Sequence, residues 1–192
     1  MNHEIIESES VLGQFLEVLP VALLAGVLYC IYSRIAKKTL KIRCFLFVCY
    51  VTGLAALILV PVNFWSSIWF YLHNGYSGGS MGHLFSWEFN FVPTAWRILA
   101  GEMTLGPWVI KMLVGNFLMF VPLGIFLPLI FPEMNRKNSV LLAAAVPFAV
   151  EVLQPVIGRS FDVDDVILNA LGILAGYLLV WLCRTKIRRG GA

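Results

Sequence analysis

The stretch EVLQPVIGRSFDVDD, Glu151 to Asp165, gathers side chains able to hold or move a proton. Glu151 and Gln154 stand three residues apart; Arg159 follows, then Asp162, Asp164 and Asp165. A carboxylate whose pKa is raised by burial can act as a general base. Paired aspartates can ligate a divalent cation through oxygen, and a guanidinium grips phosphate or carboxylate. Little else in the chain suggests reactivity. His3, His73 and His83 are scattered, and there is no nucleophile–histidine pair, zinc-ligand spacing or phosphate-binding glycine loop. No metal and no cofactor is assigned.

The elements that must position these groups are membrane helices. Of the 192 residues, 59% are hydrophobic and 13% charged, against about 45–50% and about 25% in soluble domains. Five apolar runs approach the roughly 17–25 residues of a membrane span: Val11–Ser33, Ile42–Val60, Trp108–Phe131, Ser139–Ile157 and Val166–Cys183. The sequence therefore predicts an all-α polytopic bundle of about five transmembrane helices. The start, MNHEIIESES, has acids and no Lys or Arg, unlike a cleaved signal peptide, so the first run is expected to stay as a helix.

Basic residues set the expected topology. Eleven of the fourteen fall between spans one and two (Arg34, Lys37, Lys38, Lys41, Arg43), between spans three and four (Arg136, Lys137), or after span five (Arg184, Lys186, Arg188, Arg189). The positive-inside rule makes that side cytoplasmic, with the N-terminus outside and residues 184–192 a basic cytoplasmic tail. Cys30, Cys44, Cys49 and Cys183 fall toward the same side, where disulfides are not expected. Since the basic residues flank membrane spans, nucleic acid is not expected as a partner. Residues 1–60 form the two-helix N-terminal part. Residues 61–106 form an extracellular or interfacial loop rich in aromatics, including Trp65, Trp69, Trp87 and Trp96. Such rings suit a headgroup-level anchor or a wall around a lipid or sugar head. Within it, NFWSSIWFYL is expected along the membrane surface and HNGYSGGSMGH as a turn.

Polar residues inside the spans are the informative exceptions, because a charge at mid-bilayer costs about 2.5–3.5 kcal/mol. At about 1.5 Å per residue, Asn116 lies about 12 Å below Trp108, Glu151 about 10 Å below Gly158 and Asn169 about 6 Å below Asp165. All three reach the outer half of the membrane. Glu151 and Gln154 share one face, and so do Asp165 and Asn169. Gly172 and Gly176 continue the second face as a small-xxx-small pattern that lets helix backbones approach. Pro122 and Pro147 can kink their helices. These placements predict a pocket open to the outside, floored by Asn116, Glu151 and Asn169 and rimmed by Arg159, Asp162 and Asp165. Arg159 can pair with Asp162 at the surface or reach down to Glu151. Asp162 or Asp164 can cap the last helix.

NFLMFVPLGIF from Asn116, EVLQ from Glu151, and GRSFDVDDVILNALGILAG from Gly158 together resemble the VanZ-like family of bacterial membrane proteins. The matching positions are Asn116, Phe120, Pro122, Gly124, Glu151, Gln154, Arg159, Asp162, Asp165, Asn169, Gly172 and Gly176, with FNFVP at Phe89–Pro93 resembling an Asn-x-x-Pro segment ahead of them. Asp164 is an extra acid outside the pattern. The resemblance implies a core of three helices over residues 90–183, a multi-pass location in the bacterial plasma membrane, and a role in the cell envelope. It also implies lowered susceptibility to lipoglycopeptide antibiotics such as teicoplanin.

Three functions are compatible with these residues. In the first, the pocket binds a lipid-linked cell-wall component or a lipoglycopeptide, with Arg159 on an anionic group and tryptophans on sugar or acyl chains. Asn116, Glu151, Gln154, Arg159, Asp162, Asp165 and Asn169 are then the ligand-binding residues, and Phe120, Pro122, Gly124, Gly172 and Gly176 the structural ones. In the second, an intramembrane enzyme works on a lipid headgroup with Glu151, Asp162 and Asp165 as catalytic candidates. In the third, a small lipid or solute transporter carries a proton on Glu151. Membrane lipids are partners in every case, and the sequence leaves the oligomeric state open.

Overall fold

The computed structural model describes residues 11–60, 64, 72–73 and 87–190. The acidic start, most of the interfacial segment and the glycine-rich turn expected before Phe85 lie outside them. The chain forms two compact units, Met1–Leu84 and Phe85–Ala192.

In the first unit, α1 (Val11–Ile35) and α2 (Ile42–Ile58) pack as a pair. Gly26 admits the Cys49 thiol and the Phe45 ring, and Gly53 lies against Ala22. Lys37, with φ +50°, turns the chain between the helices. Nearby, the Lys38 amide donates to the Ser33 carbonyl at 2.9 Å, closing the end of α1.

The second unit holds a two-residue strand β1 (Phe89–Asn90), a short helix α3 (Thr94–Leu99) and the long helices α4 (Pro107–Ile130) and α5 (Arg136–Leu153). A 3-10 turn (Gln154–Ile157), strand β2 (Phe161–Asp162) and helix α6 (Val163–Gly190) follow. Pro107 opens α4, where its missing N–H is harmless. Asn135 caps α5 by accepting from the Asn138 amide at 2.9 Å. Pro155 withdraws the N–H that the Glu151 carbonyl would use, and the chain tightens into the 3-10 turn. Gly158, at φ +80°, then redirects it.

Helix α6 packs against both α4 and α5. Its glycines seat on α4: a Cβ at Gly172 would strike the Phe117 carbonyl, and one at Gly176 the Val121 carbonyl. Gly124 of α4 is pressed in the same way against the Ile173 carbonyl. Phe120 and Ile173 are buried in this seam at 1% exposure each. The close approach expected from GILAG is thus present. Helices α4 and α5 run unbroken through Pro122, Pro128 and Pro147.

Among the described residues, four helices are long and apolar enough to cross a membrane: Leu16–Ile35, Val109–Ile130, Arg136–Ile157 and Val163–Lys186. Leucines and other large apolar side chains stand about half exposed along them, among them Leu23, Leu28, Leu118, Leu141, Leu171 and Leu179. Water does not tolerate so continuous an apolar surface, whereas lipid requires it. The fold is an all-α membrane bundle. The expected second span, Ile42–Val60, is α2, which has 17 residues, the lower limit for crossing. It stops at Ile58, ahead of Pro61, which disfavours helix at the residue before it.

Candidate functional site

At the Asp165 end of the second unit, β1 pairs in parallel with β2, Phe89 opposite Phe161 and Asn90 opposite Asp162. The Phe161 amide donates to the Glu88 carbonyl at 3.0 Å. This short pairing brings residues 88–97 to the start of α6. Asn90 Nδ2 donates to Asp162 Oδ2 at 2.9 Å, and Arg97 Nη2 donates to Asn90 Oδ1 at 2.5 Å.

Asp162 is held on both oxygens. Its Oδ1 accepts from the Asp164 amide at 2.8 Å, so Asp162 caps α6. These two bonds engage one oxygen each. Asp164 does not cap its own helix. It is buried, and its Oδ2 accepts from the Thr94 amide at 2.8 Å, placing a carboxylate at the N-terminus of α3, where the helix dipole favours it.

Glu151 is fully buried at 0% exposure. Its Oε2 accepts from the Asp162 backbone amide at 3.1 Å. With its amide turned as the surrounding acceptors require, Gln154 donates to Glu151 Oε2 at 3.0 Å and to the Ser160 carbonyl at 3.3 Å. Gln154 belongs to the 3-10 turn rather than to α5, yet the three-residue spacing still brings the two side chains together. Arg159, half-buried in the β2 approach, interacts with the charges of Asp165 and Glu151. Burial lowers the Arg159 pKa from its ordinary value, and those two carboxylates oppose the shift. A guanidinium remains charged throughout the physiological range.

From α4, Asn116 Nδ2 donates to Asp165 Oδ1 on α6. Asn169 lies one turn beneath Asp165 on the same face, 4% exposed, and its Oδ1 has no hydrogen-bond partner among the described residues. The structure therefore joins Asn116 to Asp165 and Glu151 to Gln154 and the Asp162 amide, with the Arg159 charge felt by Asp165 and Glu151. Asn169 joins none of them through its carbonyl oxygen. Asn90, Thr94 and Arg97 enter the network without having been singled out as site residues. FNFVP pointed to Asn90 only through resemblance, and nothing local marked Thr94 or Arg97. Among the described residues, no cluster of three His, Cys, Asp or Glu side chains is arranged to hold a metal ion.

An apolar ledge flanks this network. Phe91 lies 5.3 Å from Phe161 and stacks on Phe89 at 6.0 Å. Trp87, Phe91, Trp96 and Leu99 are 66–85% exposed.

The VanZ/LLP1 family model matches residues 45–184. Comparison with curated proteins and with solved structures gives no match.

Proposed function

Because the chain belongs to the VanZ/LLP1 family, we propose that its second unit holds the polar head of a membrane-anchored cell-envelope molecule. A lipid-linked cell-wall component and a lipoglycopeptide are the two ligand classes in view. The basic residues at the Arg184 end place that end in the cytoplasm, so the Asp165 end faces outward from a bacterial plasma membrane.

The carrying observation is convergence. Polar side chains from three apolar helices, Asn116 on α4, Glu151 on α5 and Asp165 on α6, meet at one end of the bundle with Arg159 among them. Residues this costly to place in a membrane span usually serve a polar path or a bound group. The exposed ring ledge beside them suits the headgroup layer, where aromatic side chains collect. A head entering at Arg159 and Asp165, both half-buried, would keep its acyl chains in the surrounding bilayer.

The enzyme reading has less support. Both oxygens of Asp162 are engaged, which leaves Glu151 and Asp165 as the carboxylates for acid–base work. Transport has no observation of its own beyond a buried acid.

Full-length protein extracted with its surrounding bilayer in polymer discs tests the proposal. Lipid analysis should find one head-bearing species enriched over the bulk membrane and lost in Asp165→Asn. A bound lipid population identical to the bulk would overturn it.

A further inference from the structure

This inference rests on the headgroup reading and specifies which head the site takes. Among the described residues, four carboxylates, Glu151, Asp162, Asp164 and Asp165, are gathered through the bonds described above, and two guanidiniums, Arg97 and Arg159, are linked with them. Arg97 is bonded to Asn90. Arg159 is balanced by Asp165 and Glu151. An incoming phosphate or carboxylate would have to draw Arg159 from two acids and approach the oxygen acceptors of the others.

Asn169 gives the second observation. Its carbonyl oxygen is buried without a donor, on the helix face that carries Asp165. A buried acceptor left unmatched is costly, and what it lacks is an N–H or O–H. Side chains one turn apart on a helix are separated by about 5–6 Å at Cβ. One ammonium nitrogen making two charge-assisted bonds of about 2.8 Å each spans that gap.

We propose that the site binds a primary ammonium group carried on a membrane-resident amphiphile, with N–H donors directed to Asn169 Oδ1 and the Asp165 carboxylate. The amine can belong to an aminophospholipid head or to an amino group on another lipid-anchored molecule.

The test is titration of full-length protein in micelles by native mass spectrometry. Dodecylammonium is compared with dodecyltrimethylammonium, which has the same charge and no N–H, and with dodecyl phosphate. Short-chain phosphatidylethanolamine and phosphatidylcholine form a second matched pair. Dodecylammonium should bind at least tenfold tighter than either of its comparison amphiphiles, and Asp165→Asn and Asn169→Leu should each erase that preference. Asn169→Leu keeps the result readable should Asp165→Asn fail to fold, since it replaces an unmatched polar atom with an apolar side chain. If phosphatidylethanolamine also beats phosphatidylcholine, the source is an aminophospholipid; if dodecylammonium alone is preferred, the amine comes from another carrier. Either result supports the proposal. Equal binding of the trimethylated probe overturns it. Tightest binding of dodecyl phosphate, lost in Arg159→Ala, overturns the amine while leaving the headgroup reading intact. Absence of any site-dependent binding overturns both.

Discussion

Asp162 and Glu151 are joined by a backbone bond: the Asp162 amide donates to Glu151 Oε2 at 3.1 Å. The acid buried in α5 thus fixes the residue whose side chain caps α6 and receives Asn90. One carboxylate ties the end of one membrane helix to the beginning of the next.

Glu151→Leu should consequently cost more than its lost charge. It orphans the Asp162 amide and removes one of the two carboxylates beside Arg159. A buried donor left unpaired costs about 1–3 kcal/mol, so thermal unfolding in detergent should move clearly downward. Glu151→Gln preserves an acceptor and should be milder. Equal melting of both variants would show that the Asp162 bond contributes nothing.

The helix seam gives a prediction with an internal control. A methyl at Gly176 meets the Val121 carbonyl, and overpacking costs typically about 1–3 kcal/mol. Gly176→Ala should destabilise the protein by that order. Gly115, in α4, has nothing within 4 Å of where a Cβ would stand; Gly115→Ala should be neutral, or stabilising by up to about 1 kcal/mol through helix propensity. Opposite signs in the two melting shifts are expected.

Asp164→Ala should act at a distance in sequence. It removes the acceptor for the Thr94 amide, 70 residues earlier; loss of a helix cap costs about 0.5–2 kcal/mol. Hydrogen exchange at residues 94–97 should accelerate while α4 stays protected. Unchanged exchange there would show that the segment is held by the β1–β2 pairing alone.

At the opposite end, Arg184 Nη2 donates to the Pro128 carbonyl at 2.7 Å. That carbonyl would ordinarily be served by the amide four residues on, but residue 132 is proline and has none. Arg184→Ala should lower stability by about 1.5–3 kcal/mol, the range for a hydrogen bond to a charged group. A melting point equal to wild type would refute the clamp.

The sequence carried a good deal of this. Spacing alone placed Glu151 with Gln154 and aligned Asp165 with Asn169, because both pairs are local. Depth arithmetic put Asn116 on a floor with Glu151 and Asn169, since helix rise is nearly constant; the structure bonds it instead to Asp165 of the expected rim. The Gly172–Gly176 seam followed from side-chain size. Long-range pairing was not legible. Two-residue strands leave no periodicity to detect, so the β1–β2 link was missed, and with it the role of Asn90 as the partner of Asp162. Asp164 was assigned either to its own helix or to no pattern, because a cap borrowed by a distant helix has no local signature. The Pro128–Arg184 bond was not anticipated: Pro132 leaves a carbonyl in need of a donor, but nothing local says which side chain supplies it.

If the phenotype implied by the family resemblance belongs to this site, expressing the chain in a teicoplanin-susceptible bacterium should raise the inhibitory concentration of teicoplanin, and Asp165→Asn should abolish the rise at equal membrane abundance. An unchanged concentration with wild type would separate the headgroup site from antibiotic resistance.

The central claim, a polar site reached from outside the cell, is tested most directly by cysteine labelling in intact cells. In a background with Cys30, Cys44, Cys49 and Cys183 replaced, exposed Ser160, whose carbonyl accepts from Gln154, and exposed Asn138, at the start of α5, are changed singly to cysteine. A membrane-impermeant maleimide should label the Ser160→Cys protein in intact cells and the Asn138→Cys protein only after permeabilisation. The reverse pattern would put the network in the cytoplasm and contradict the account.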